Sequence, residues 1–207
     1  MNTYLSIKEK LNGAKLCIVT KKRSKEQIMF YYDQGERIFG ENKAQELLTK
    51  IDLPSDIQWH FIGHLQTNKV KDVVAHIELI HSVDRLNLVK EIEKEAAKLN
   101  KVQKILIQFN IAEEETKSGI AIDEAESFFE EVIKYPHLEV KGIMCMGPHV
   151  EDEKRIEEVF EQAHNLFNSL KEKYPTMDTL SMGMSGDYLL ALRHGSTMIR
   201  VGSALFE

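Results

Sequence analysis

A single closed (β/α)8 barrel of the TIM type, an α/β fold, is what this sequence predicts, on three observations. Short β-rich apolar runs alternate along the chain with longer segments of helical period. The runs number eight, as closing such a barrel requires. The length of 207 residues sits near the lower size limit of that fold, roughly 200 residues, so residues 1–207 read as one domain with little room for a lid. An open doubly wound sheet shows the same alternation, because strand order is not written in one sequence. The turn after the first run is Lys21-Lys22-Arg23-Ser24 rather than glycine-rich, which gives a dinucleotide-binding first unit no support.

Taken in order, the N-terminal stretch MNTYLSIKEKLNGAK is polar and amphipathic and lacks the apolar core of a signal peptide. The eight expected strands are residues 16–20 (LCIVT), 37–40 (RIFG), 59–63 (WHFIG), 78–82 (ELIHS), 104–110 (KILIQFN), 140–146 (VKGIMCM), 179–182 (TLSM) and 197–201 (TMIRV). Each is short, β-branched or aromatic, and bounded by polar or glycine residues. Between them, apolar residues recur at spacings of three and four, which predicts one-sided helices. Leu86, Val89, Ile92, Ala96 and Leu99 form one such stripe, and Ile156, Val159, Phe160, Ala163, Phe167 and Leu170 another. Shorter stripes run through Val70, Val73, Val74 and Ile77 and through Ala125, Phe128, Phe129 and Val132, and residues 187–194 read as a short helix.

Charge and composition exclude several functions. Lys and Arg total 27 against 33 Asp and Glu, a net charge of −6, which argues against a protein that grips nucleic-acid backbone. No apolar run approaches the roughly 18 residues of a membrane span, so a cytoplasmic chain without membrane contact is expected. Cys17 and Cys145 lie in apolar runs without CxxC spacing and read as buried thiols. His60 and His64 stand four apart, but WHFIGH has strand character and lacks the HExxH glutamate, so no metal site is expected. The acidic runs 113–115 and 151–153 read as solvated faces, and the absence of GxSxG removes a serine-hydrolase reading.

In a parallel barrel the chemistry belongs at the C-terminal strand ends. There the last two turns, SMGMSGD (181–187) and RVGS (200–203), combine glycines and serines with the start of a short helix. That chemistry suits a phosphate group, and the same glycines also suit plain tight turns. Lys21, at the end of the first strand, is either a desolvated amine able to form a Schiff base or part of a solvated basic loop.

Seven blocks then combine. VTK (19–21), FGEN (39–42), WHFIGHLQTNK (59–69), HSVDR (81–85), GIMCMGP (142–148), SMGMSGD (181–187) and MIRVGSALF (198–206) closely resemble, in order along nearly the whole chain, the YggS/PROSC family of pyridoxal phosphate homeostasis proteins. The resemblance implies a single TIM barrel similar to the N-terminal domain of alanine racemase, holding pyridoxal 5′-phosphate (PLP) as an aldimine on Lys21 and not on Lys22. It further implies phosphate contacts at Ser185, Gly186, Gly202 and Ser203, a pyridine-nitrogen partner in Arg200, and cofactor neighbours in Asn42 and Met146. Lys117 is either a second basic contact or an exposed loop lysine. The chain departs from the family in a short N-terminal segment, in Lys43 after FGEN, and in the basic pair Lys22 and Arg23.

The function so implied is intracellular PLP homeostasis, with release by transaldimination to a free amino acid or a PLP-dependent apoenzyme. Arg200 beside the ring nitrogen disfavours its protonation and so weakens the electron sink, and binding without efficient turnover is expected. The alternative is a small PLP-dependent amino-acid racemase using Lys21 as one base, and a third reading is a Schiff-base aldolase acting on a sugar phosphate. The barrel is expected to be a monomer.

Overall fold

The computed structural model describes residues 3–114 and 118–206. Eight parallel strands, β1 (Lys15–Val19), β2 (Ile38–Glu41), β3 (Gln58–Phe61), β4 (Ile77–Val83), β5 (Gln103–Gln108), β6 (Leu138–Met144), β7 (Thr179–Ser181) and β8 (Met198–Val201), close into a barrel in sequence order, β8 pairing back onto β1. Every one coincides with a predicted run to within two residues.

Period-two alternation sorts the side chains. Leu16 and Ile18 of β1, Phe61 of β3, Ile80 of β4, Leu180 of β7 and Ile199 of β8 face outward into the large apolar layer between barrel and helices. The neighbouring positions Cys17, Leu79, Leu106, Met144 and Met198 pack together as a smaller cluster inside the barrel.

The outer layer is completed by α1 (Thr3–Lys10), α2 (Lys25–Asp33), α3 (Ala44–Leu48), α4 (Val70–Val73), α5 (Leu86–Lys98), α6 (Ala125–Val132), α7 (Glu153–Lys173), α8 (Tyr188–Arg193) and α9 (Ser203–Phe206). The predicted stripes of α5, α6 and α7 are buried along their lengths. Two details differ from the sequence reading. Ile77 belongs to β4, because α4 ends after a single turn and the chain enters the sheet directly. The basic turn after β1 leads into α2, started by a capping box in which Ser24 Oγ accepts from the Gln27 N–H and the Gln27 side chain accepts from the Ser24 N–H. Among the described residues no helix is long and apolar enough to cross a membrane. Cys17 and Cys145 are buried thiols.

One glycine lets β6 approach β7 closely. The β5–β6 register slips by one residue between Ile105 and Leu106, and Gly142 follows at φ +153°, a conformation side chains resist. A Cβ there would overlap the Thr179 carbonyl oxygen of β7. Gly142→Ala is therefore expected to destabilise the barrel by about 2 kcal/mol, since backbone must give way. A denaturant midpoint unchanged from wild type would refute this.

Candidate functional site

The chemistry-bearing residues gather at the C-terminal mouth and in the barrel interior beneath it. Arg200 points inward from β8 and is only 4% exposed. Its Nη1 donates to Ser181 Oγ at 2.6 Å and its Nη2 to the Cys145 carbonyl at 3.1 Å, while its backbone N–H donates to Gly183 O. Among the described residues no carboxylate forms an ion pair with this guanidinium. Burial pulls its pKa below the ordinary arginine value, yet arginine keeps its proton in proteins. The interior thus holds a permanent cation on neutral partners, an arrangement that costs several kcal/mol unless something repays it.

From Ser181 the network continues across the barrel. His81 Nδ1 lies 3.0 Å from Ser181 Oγ, and His81 Nε2 lies 2.9 Å from His60 Nδ1. Because Ser181 already accepts from Arg200, the consistent assignment has its hydroxyl donating to His81 Nδ1 and His81 Nε2–H donating to His60 Nδ1. Burial keeps both rings neutral. It pulls His60 down to about 3, with Lys15 and Lys104 adding to the effect, and holds His81 well below its usual value, with His60 and Arg200 adding.

This neutrality has a measurable sign. In the unfolded chain each histidine takes a proton below about pH 6.5, and in the folded chain neither does until far lower, so stability is full above 6.5 and lost as pH falls toward about 3. Denaturant unfolding at pH 5 should show a loss of about 2 kcal/mol from His60 alone relative to pH 7. The His60→Asn variant should lose correspondingly less over that interval; an identical pH dependence would refute the assignment.

The loops after β7 and β8 meet at the mouth. Ser185 Oγ accepts from the backbone N–H groups of Gly202 and Ala204, each at 3.3 Å, which ties the β7 loop to the start of α9. Gly202 packs so closely on β1 that a Cβ would lie 3.1 Å from that of Val19, whereas the exposed Gly186 has open space around it. Ser203, exposed, is the first residue of α9. A cleft of about 420 Å³ opens alongside, lined by Gly147, Pro148, Met184, Gly186 and Asp187 among others.

The remaining candidates take other places around the rim. Lys21 follows β1, is exposed, and makes no hydrogen bond or ion pair among the described residues. Asn42 and Met146 are half-buried, Asn42 with its main chain against Gly63 and Met146 packed on the inner apolar cluster. The fold thus joins Ser185 directly to Gly202, and links Arg200 to the carbonyl just before Met146; Lys21 and Asn42 lie just beyond the C-terminal ends of the adjacent, paired strands β1 and β2. Lys117 lies outside the described residues. His60 is buried and His64 is exposed, so the two do not share a site.

The interior chain of Ser181, His81 and His60 was missed as a unit by sequence reasoning. Its signal was parity: each sits one residue from an outward-facing apolar neighbour, Leu180, Ile80 or Phe61.

The family model of the alanine racemase N-terminal domain matches residues 2–207. A pyridoxal phosphate homeostasis protein of Aquifex aeolicus is 40% identical over 198 residues, covering 94% of this chain and 87% of its own. Another, from Helicobacter pylori, is 41% identical over 199 residues, covering 93% and 87%. Among solved structures, PipY of Synechococcus elongatus PCC7942 with PLP bound superposes with a TM-score of 0.91 at 31% identity, over 99% of this chain and 98% of that one.

Proposed function

This chain belongs to the alanine racemase N-terminal-domain family, in the branch of the pyridoxal phosphate homeostasis proteins, and on that footing we propose that it binds PLP in the barrel mouth and passes it to other amines, taking part in homeostasis of the cofactor. The observation that carries this reading is Arg200, a buried cation whose side-chain hydrogen-bond partners among the described residues, Ser181 and the Cys145 carbonyl, are both neutral. A basic ring nitrogen that needs a donor and brings no proton of its own suits that guanidinium.

The other residues fit the same group. Ser185 Oγ with the N–H groups of Gly202 and Ala204 offers small polar groups for a phosphate, and Gly186 and Ser203 flank them. Lys21 offers a primary amine with no competing partner among the described residues. Asn42 and Met146 would lie alongside the ring. When bound, PLP supplies an aldehyde that condenses reversibly with a primary amine and a ring that draws electrons from it. Lys21 Nζ would be the covalent anchor, and exchange of that amine for another, a transaldimination, would release the group to a free amino acid or a PLP-dependent apoenzyme.

Arg200 also bears on turnover. A guanidinium that never gives up its proton holds the atom facing it unprotonated, which favours retention over carbanion chemistry. The reading includes a monomer working in the cytoplasm, where Cys17 and Cys145 stay thiols.

The test is to titrate the protein with PLP, record the absorbance, reduce with borohydride and map the adduct by peptide mass spectrometry. An adduct on Lys21, and release on adding an amino acid without change of its configuration by chiral chromatography, is the expected result. Sustained racemisation that depends on Lys21 would favour the racemase, and absence of any adduct would favour the sugar-phosphate reading.

A further inference from the structure

A cluster of buried charges grips the main chain around Lys21. Lys50, just beyond α3, has a side chain only 4% exposed, and its Nζ donates to three acceptors: the Thr20 carbonyl at 2.9 Å, Glu41 Oε1 at 2.7 Å and Glu46 Oε1 at 2.9 Å. Glu41, at the end of β2, is wholly buried and also accepts from Thr20 Oγ1 at 2.6 Å. Glu46 Oε1 in turn accepts the backbone N–H of Lys22, which holds a left-handed φ of +60°. The carbonyl just before Lys21 and the N–H just after it are therefore both captured by one ion pair, Lys50 with Glu46.

Two physical points give this geometry a purpose. An ammonium has three N–H groups, and all three on Lys50 are committed, so this buried lysine is not free to react although its desolvation would otherwise suit it. Closing a surface turn does not require buried charge, since a serine or asparagine side chain does so without the desolvation cost of an ion pair. What the charged cluster adds is rigidity: it removes rotation of the two peptide groups that set the direction of the Lys21 side chain, leaving only its own rotors free.

Resting on the reading that Lys21 is the anchoring amine, we propose that Lys50, Glu46 and Glu41 are positioning residues that fix the turn on both sides of Lys21 and direct its Nζ into the mouth. None of the three touches the bound group; they act through the main chain.

The test separates amine placement from the rest of the site. Borohydride trapping of PLP on Lys21, followed by mass spectrometry, reads the amine; equilibrium binding of pyridoxine 5′-phosphate, which has the ring and phosphate but no aldehyde, reads the cradle. The double variant Glu41→Gln/Lys50→Met removes both buried charges together, and should trap about tenfold more slowly while binding pyridoxine 5′-phosphate within twofold of wild type. Glu46→Gln, at a carboxylate 22% exposed and so tolerant of replacement, should slow trapping about threefold with the same unchanged binding. Wild-type trapping rates in Glu46→Gln, or a parallel loss of trapping and analogue binding in both variants, would overturn the positioning role and leave Lys21 as the anchor. Absence of trapping on Lys21 in the wild-type protein would instead overturn the reading on which the role rests.

Discussion

Lys21→Ala is expected to abolish covalent retention of PLP: no Schiff-base absorbance, no borohydride-trapped adduct, and an apparent dissociation constant raised about a hundredfold or more as the reversible bond is lost. The effect should be specific to this lysine. Lys22 is its neighbour in a basic loop, but its backbone N–H is bound to Glu46 and it sits in the left-handed region one residue further along. Lys50 is buried nearby with all its donors engaged. Lys22→Ala should therefore keep the adduct, while Lys21→Ala should keep the fold, because Lys21 makes no hydrogen bond or ion pair among the described residues. Pyridoxine 5′-phosphate should bind Lys21→Ala and wild type alike, since Arg200 and the phosphate residues proposed above, Ser185, Gly186, Gly202 and Ser203, lie on β8 and in the loops after β7 and β8, away from the Lys21 side chain. Retention of the absorbance band in Lys21→Ala would show that another amine is the anchor.

What the sequence made legible follows from which forces are local. Strand positions were readable because a barrel strand is a short apolar run between breakers, and α5, α6 and α7 because one-sided burial imposes a period of 3.6. The short helix α2 was harder, since its start lies in a basic loop and only the Ser24–Gln27 pair announces it. The end of α4 was harder still, because Ile77 continues the apolar spacing of Val70 and Val73 yet is drawn into the sheet by pairing with Trp59. Strand-end residues such as Lys21, Ser185 and Gly202 are legible by topology alone. The Lys50 cluster is not, because its acceptors lie 30, 9 and 4 residues away and meet only once β1, β2 and α3 have assembled. Nor is the histidine chain, which joins β3, β4, β7 and β8 through side chains that a one-residue slip would turn outward.

Arg200→Met should separate affinity from stability in opposite directions. Removing the guanidinium removes the charge-assisted hydrogen bond proposed to the bound ring, worth about 1.5–3 kcal/mol, so PLP should bind roughly ten- to a hundredfold more weakly while Lys21 still forms its adduct. In the ligand-free protein the balance differs. The Cys145 carbonyl loses one donor, at a cost of about 1 kcal/mol, and Ser181 keeps His81 as its acceptor. Against that stands the desolvation of a buried cation with no ion-pair partner among the described residues, several kcal/mol that methionine, unbranched and apolar, does not incur. Thermal unfolding without PLP should therefore occur at the same temperature as wild type or higher, while the stabilisation conferred by saturating PLP shrinks. A site kept for binding rather than for folding predicts that pairing. If melting temperature and affinity fell together, Arg200 would instead be a strut of the barrel interior, and the strongest physical reason for reading this mouth as a cofactor site would be gone.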